Sequence, residues 1–346
     1  MKSWKRLALS QKILWHLCHR TSLADVEAPH NTKAVTVLGY LAQLLTLPAW
    51  VRKQEPTVIS RLLHAPHNML GPDLPFKLNE VGCLPFTSIH SYTLATLFRA
   101  FHKTIQGWED MVDALQANAQ EFLPAVQVFE GLLSPEHWDS TPMVMNLFEA
   151  KLKFKNMPRH GQRLTEALQN PLGHLKLQSK AYKCILPAVH PGNTSNVIVG
   201  RLCRMLPQCE LQLKSIDIAP ALEELRRLRK SHVAMCILKT WCNGWITSER
   251  MHRDVRHTCI FGCRGEKDNL RHYVSCNRLW NPIFERMRIP QTEDKLRRLA
   301  IIGTERNCVL AVAIAFTVYH SSRGETLPIA PSKIQDAVKA ADLWLS

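Results

Sequence analysis

Four side chains able to ligate a soft metal ion, Cys259, Cys263, His272 and Cys276, fall within 18 residues in the order C-x3-C-x8-H-x3-C. Zinc takes four sulfur or nitrogen donors in a tetrahedron, at about 2.0–2.3 Å from the metal. A cysteine pair separated by three residues can close one side of the ion through a tight turn, which Gly262 eases by tolerating a left-handed backbone. His272 and Cys276 are four apart, so on a helix they share a face and can close the other side. The stretch joins two helix-like segments through a loop too short and polar to hold itself together. The spacing therefore predicts a structural Zn2+ site, a CCHC zinc knuckle at 259–276. Two alternatives stand beside it. The thiols can be ordinary buried residues with His272 at the surface, and His252 or His257 is near enough to serve as the fourth donor. A catalytic zinc needs an open position and a base; Glu266 and Asp268 lie in the loop, but four filled positions leave no place for water.

Charge is the second constraint. The chain of 346 residues carries a formal net charge of +15. Residues 201–300 hold 20 Lys and Arg against 11 Asp and Glu, and 15 of the 20 are arginine, whose planar fork suits phosphate. A basic field around a metal site points to RNA or DNA as the partner. The candidate contacts are Arg226, Arg227, Arg229 and Lys230 on one segment, with Arg250, Arg253, Arg256, Arg264, Arg271 and Tyr273 around the knuckle. Trp241, Trp245, Phe261 and Trp280 also surround the knuckle, and the tryptophans at 241 and 245, four apart beside a helix end, read as core. The bland alternative is a basic surface that only keeps the protein in solution.

Proline and glycine punctuation leaves helical periodicity and almost no strand alternation, so the fold class is mainly α: an irregular helical bundle with a small knuckle between helices in its C-terminal part. Thr36–Leu47, 55–63, 91–105, 109–133 and 162–184 read as helices, and 64–90 and 134–160 as irregular connectors. A break at 185–196 divides a helical region, 1–190, from a basic helical region, 197–346. Pro220 opens the best helix, behind Asp217, with a stripe of Leu222, Leu225, Leu228 and Cys236 and an end near Asn243-Gly244. Buried helices are expected within 296–319 and a short terminal one at 332–344.

No apolar run reaches the roughly 18 residues of a membrane span. Eleven scattered cysteines, an odd number, fit a reducing compartment. The expectation is an intracellular protein, cytoplasmic or nuclear. The first 20 residues, with five basic side chains and no acid, fit either an organelle transit peptide or an amphipathic helix carrying Trp4, Leu7, Leu14 and Cys18 on one face. Catalytic patterns are absent: there is no Asp-Asp pair, phosphate-binding glycine loop, H-E-x-x-H or G-x-S-x-G. Glu293-Asp294-Lys295 echoes the E-x-K of metal-dependent nucleases without the upstream acid that would share the metal. No small-molecule substrate is evident.

The segment from Leu238-Lys-Thr-Trp-Cys-Asn-Gly-Trp through Asn269-Leu-Arg-His-Tyr-Val-Ser-Cys276 to Trp280 resembles the C-terminal zinc-knuckle region of non-LTR (LINE-type) retrotransposon reverse transcriptases. Thr32 to Pro48 is similar to the helical thumb of such proteins. The resemblance implies that Cys259, Cys263, His272 and Cys276 ligate zinc and that the region helps to hold RNA or target DNA. The His-to-Cys gap is three residues where that family commonly has four, and the fingers and palm with their catalytic aspartates are missing. The resemblance therefore implies a non-catalytic remnant, thumb-like in its first part, that does not polymerise DNA. A zinc-stabilised protein-interaction module is the alternative from another class.

Overall fold

A computed structural model describes residues 49–101, 177–251 and 258–345, with a few single positions within them left out, together with Asn31 and Val35. Its elements are helices, and among the described residues the sole β pairing is one bridge between Thr258 and Lys267. The mainly α expectation holds. The expected helices at Thr36–Leu47 and 109–133, the connector at 134–160 and all of the thumb-like segment except Val35 lie outside the described residues.

The chain separates into two compact units. The first contains the opening half of α1 (Ala49–Leu62), α2 (Ile89–Phe101) and α3 (Leu177–Val189), with α2 packed along α3. Polar groups organise the start of α2. Glu55 accepts from the Ile89 amide at 2.6 Å, the Ser91 amide donates to Ser88 Oγ, and the Ser88 amide donates to the Tyr182 hydroxyl at 3.0 Å. These groups satisfy amides that a helix start leaves without partners. Burial pushes the Glu55 carboxyl up to about 8, against the opposing effect of the Ile89 and His90 amides.

The second unit contains 57–86 and everything described from residue 192 onwards. Its helices are α4 (Thr194–Met205), α5 (Glu210–Ser215), α6 (Ala219–Leu228), α7 (Ser231–Trp241), α8 (Leu270–Ser275), α9 (Asn277–Met287), α10 (Lys295–Arg298), α11 (Arg306–Ser322) and α12 (Pro331–Leu345). Residues 64–90 are not a loose connector. A 3-10 turn over Leu74–Val81 buries Leu74, Phe76, Leu78 and Val81, and packs on α6. Gly82 ends that turn at φ +79, where a Cβ would stand 2.6 Å from the Leu225 carbonyl oxygen. This close approach is what the glycine permits. Asp73 and Lys77 then hold the main chain of Gly192, just ahead of α4. So 57–86 belongs with the C-terminal part, although sequence order puts it in the first.

The helix expected from Pro220 to Asn243 is two helices. Arg229 turns left-handed, at φ 52, and α7 restarts at Ser231. The apolar stripe survives the break: Leu222, Leu225 and Leu228 are buried on α6, and Val233 to Leu238 on α7. The core of this unit is α11, an apolar helix contacted by α7, α9 and α12. Among the described residues no helix is long and apolar enough to cross a membrane.

Candidate metal centre

The loop between α7 and α8 is held from below by one carboxylate. Asp268, only 5% exposed, accepts from the Ser248 amide at 2.6 Å and from the hydroxyls of Tyr273 and Tyr319 at 2.7 and 2.9 Å. Hydrogen bonds to a buried charged acceptor are the strong kind, and three of them fix both ends of the loop. The Thr258–Lys267 bridge and the Cys259 amide, donating to Glu266 O at 2.9 Å, then bring the loop's two arms together.

Cys259 and Cys263 flank a turn in which the Gly262 amide donates to Cys259 O and Gly262 sits at φ +83. Asn269 caps α8, its side chain accepting from the His272 amide at 2.8 Å, and so sets the angle at which the imidazole leaves the helix. Cys276 is not on the same helix as His272. It lies between helices at φ −73 and ψ 98, closing α8 and opening α9. The expected shared helical face is thus replaced by a bend that carries the last thiol inward.

The four ligand atoms lie within 4.8 Å of one another, a group that could hold a metal ion. Cys276 Sγ is 3.9 Å from Cys259 Sγ and 3.6 Å from Cys263 Sγ, far outside the disulfide length of about 2.05 Å. His272 Nδ1 stands 3.2 Å from a Glu266 carboxylate oxygen, while Nε2 is buried with no hydrogen-bond partner among the described residues. A buried ring nitrogen with no such partner, beside three sulfurs, fits a metal ligand. Hydrogen bonds between the sulfurs and burial set the three thiols against one another. Cys259, hydrogen-bonded by Cys276 and beside His272, is pushed down to about 4. The bond to Cys259 and burial push Cys276 up, and burial with the neighbouring sulfur pushes Cys263 up. A cation among them would remove that opposition and favour all three thiolates.

The aromatic residues around the knuckle are core. Trp241, Trp245, Phe261, Tyr273 and Trp280 are each at most 2% exposed. The indoles of Trp241 and Trp280 donate to Leu299 O and Tyr273 O, and that of Trp245 to Thr240 Oγ1. For Trp241 and Trp245 this is the expected packing. For Tyr273 it is a correction. Its phenol is locked to Asp268 and to the Ile260 amide, and its ring packs against Trp245 and Phe261, so no base can stack on it. Burial pushes its hydroxyl well above the ordinary tyrosine value.

The basic candidates fall into different surroundings. Arg226 and Arg227 are exposed on α6 but ion-paired, the first to Glu223 and the second to Glu223 and Glu224. Arg229 is exposed at the helix break, and Lys230 donates to Leu345 O at 2.8 Å. Arg264 and Arg271 are exposed at the knuckle, and Arg250 is half-buried. Arg253 and Arg256 lie outside the described residues, as do His252 and His257. Asp294 of the E-x-K echo caps α10, accepting from the Leu296 amide at 2.9 Å, which is a structural task.

Glu266, Asp268 and Tyr319 carry the support of the centre, and sequence spacing did not single them out for it. Their nearest signal was position alone, two acids inside a loop bounded by ligands. No protein-family model, curated protein or solved structure matches this chain.

Proposed function

We propose that Cys259, Cys263, His272 and Cys276 bind one structural Zn2+ ion and that the knuckle so formed presents arginines to RNA or DNA without catalysing a reaction. The observation that carries the metal is the sulfur spacing. Tetrahedral zinc with bonds of about 2.3 Å to sulfur sets its sulfurs about 3.8 Å apart. The distances here are 3.9 and 3.6 Å. The ion would be held by three thiolates and His272 Nε2, leaving no position for water or substrate, so its contribution is to folding. The net charge of +15 supports a polyanionic partner.

On this reading the chain corresponds to the thumb and knuckle of a non-LTR retrotransposon reverse transcriptase. That parentage rests on the sequence phrase around the knuckle. A second reading, a zinc-stabilised protein-interaction module, draws on one observation: α6 neutralises its own Arg226 and Arg227 with Glu223 and Glu224.

Metal analysis of the purified chain tests the first step. About one zinc per chain is expected, and Cys259→Ser or Cys276→Ser should remove it. Full zinc content in both variants would overturn the ligand set. Retention of labelled single strands on a filter, falling steeply with added salt, separates nucleic-acid binding from the interaction module, which retains none.

A further inference from the structure

A cavity of about 440 Å³ lies between α9, the loop that follows it, α10 and the start of α11. Trp280 and Phe284 of α9, Ile302 and Ala311 of α11 give it apolar walls. Small-molecule sites have volumes of about 300–1,000 Å³. Arg298 also lines the cavity, although it is only 4% exposed. It is a buried cation held by neutral groups. Its Nε donates to Thr292 O at 2.7 Å, Nη1 to Val274 O at 3.3 Å and Nη2 to Asn277 Oδ1 at 2.7 Å. The guanidinium carbon stands 5.8 Å from the centre of the Phe284 ring. Three of the five N–H groups of an arginine are thereby spent. Asp294 pairs with Arg297, at 4.0 Å, and the exposed Glu293, whose charge acts on Arg298, forms no ion pair with it. A charge taken out of water without a counter-ion is costly, and burial lowers this guanidinium from its ordinary value.

We propose that this cavity binds a small organic monoanion, a carboxylate on a flat apolar body, with the carboxylate at Arg298 and the body against Trp280, Phe284 and Ala311. The inference is independent of the zinc and nucleic-acid reading. A carboxylate accepts the unspent N–H groups and supplies the missing counter-charge. The aromatic and aliphatic walls take the apolar body out of water. The remaining charges of the lining select the valence of the ligand. Arg288 and Arg297 stand at the cavity with Asp294 and Glu305, so its three arginines exceed its acids by one. That balance suits a single negative charge and disfavours a polyphosphate. Cys308 is part of the wall and no nucleophile: burial, then its bond to Glu305, pushes the thiol up to about 11.

The test is calorimetric titration of the full chain with cinnamate and with cinnamamide, a neutral molecule of the same shape. Cinnamate should bind with a dissociation constant of about 1 mM or tighter, as suits a probe of its size. Cinnamamide should bind at least about tenfold more weakly, the loss of one charge-assisted contact. Cys308→Leu, which fills part of the cavity, should weaken cinnamate at least about tenfold. Arg298→Met should bring the two probes within about twofold of each other, since the preference for charge is then gone. Zinc content and melting temperature show that each variant is folded. Where Arg298→Met does not fold, the amide comparison and Cys308→Leu still decide. Equal binding of amide and carboxylate would overturn the anion site, and unchanged affinity in Cys308→Leu would overturn its location. Absence of heat with cinnamate would overturn both. Tighter binding of adenosine monophosphate than of cinnamate would assign the cavity to phosphate-bearing ligands and overturn the carboxylate. None of these results bears on retention of RNA, which is measured separately.

Discussion

The Tyr319 hydroxyl lies 2.9 Å from Asp268 Oδ1, so a residue deep in α11 holds the loop of the metal centre across 51 positions of sequence. Tyr273 shares the same oxygen at 2.7 Å, and the rings of both tyrosines lie against Trp245. The carboxylate thus joins the knuckle to the helix on which α7, α9 and α12 pack. A zinc knuckle standing alone would need its ion for any fixed shape; this one also has a floor.

Asp268→Asn should show how much that floor contributes. The amide keeps one acceptor and turns its donors towards groups that themselves donate, leaving at least one buried hydrogen bond unmade. A loss of about 2–3 kcal/mol in urea unfolding is expected, with zinc stoichiometry retained. An unchanged midpoint would mean that Asp268 is a bystander.

Glu266 has a different task. On the proposed metal reading, its contact with His272 Nδ1 would keep the proton there and leave Nε2 to the ion. Partners of this kind are worth about 10–100-fold in metal affinity, and the Glu266 side chain is 56% exposed, so the lower end is expected. Glu266→Gln should weaken zinc binding about tenfold in competition with a chromogenic chelator, while the apo-protein melts as the wild-type apo-protein does.

His320 makes acid stability testable. It accepts from the Ile246 amide through Nε2, while Nδ1 bonds Phe316 O at 2.8 Å, and burial pushes the ring down to about 4. A base held below its unfolded value of about 6.5 contributes stability that is complete above that value and lost as pH falls towards 4. The melting temperature should therefore fall between pH 6.5 and 4, and His320→Gln should flatten this part of the profile. A variant with the same pH slope as wild type would exclude the ring as its source.

Gly82→Ala tests the seating of the 3-10 turn on α6. The new methyl meets the Leu225 carbonyl and also forces a left-handed backbone on alanine. A destabilisation of about 1–3 kcal/mol is expected from chemical unfolding, without loss of metal.

What the sequence disclosed followed from local spacing. The four ligand positions were legible because their order is a local property, and so was the left-handed Gly262. Helix content was legible for the same reason. The break at Arg229 was not, because the leucine stripe runs through it without a glycine or proline, and left-handed arginine carries no sequence mark. The prolines at 66, 72, 75 and 85 suggested a loop, yet Leu74, Phe76, Leu78 and Val81 found a partner in α6 that sequence order placed 140 or so residues away. Tyr273 misled in the opposite direction: a tyrosine among arginines reads as a stacking platform until Tyr319 arrives from elsewhere in the chain to share Asp268 with it. The contact between Arg204 and Arg271 was invisible for the same reason, since only the docking of α4 makes it.

Cys276 stands at the joint between α8 and α9, so an ion in the proposed site would make occupancy and helix orientation one variable. A chelator acting on such a chain would do more than extract an ion. It would release the hinge from which α9 hangs, with Trp280 one turn beyond, and so turn a local event into a change of tertiary order. Scarcity of metal would then be felt first as slackness in the interior.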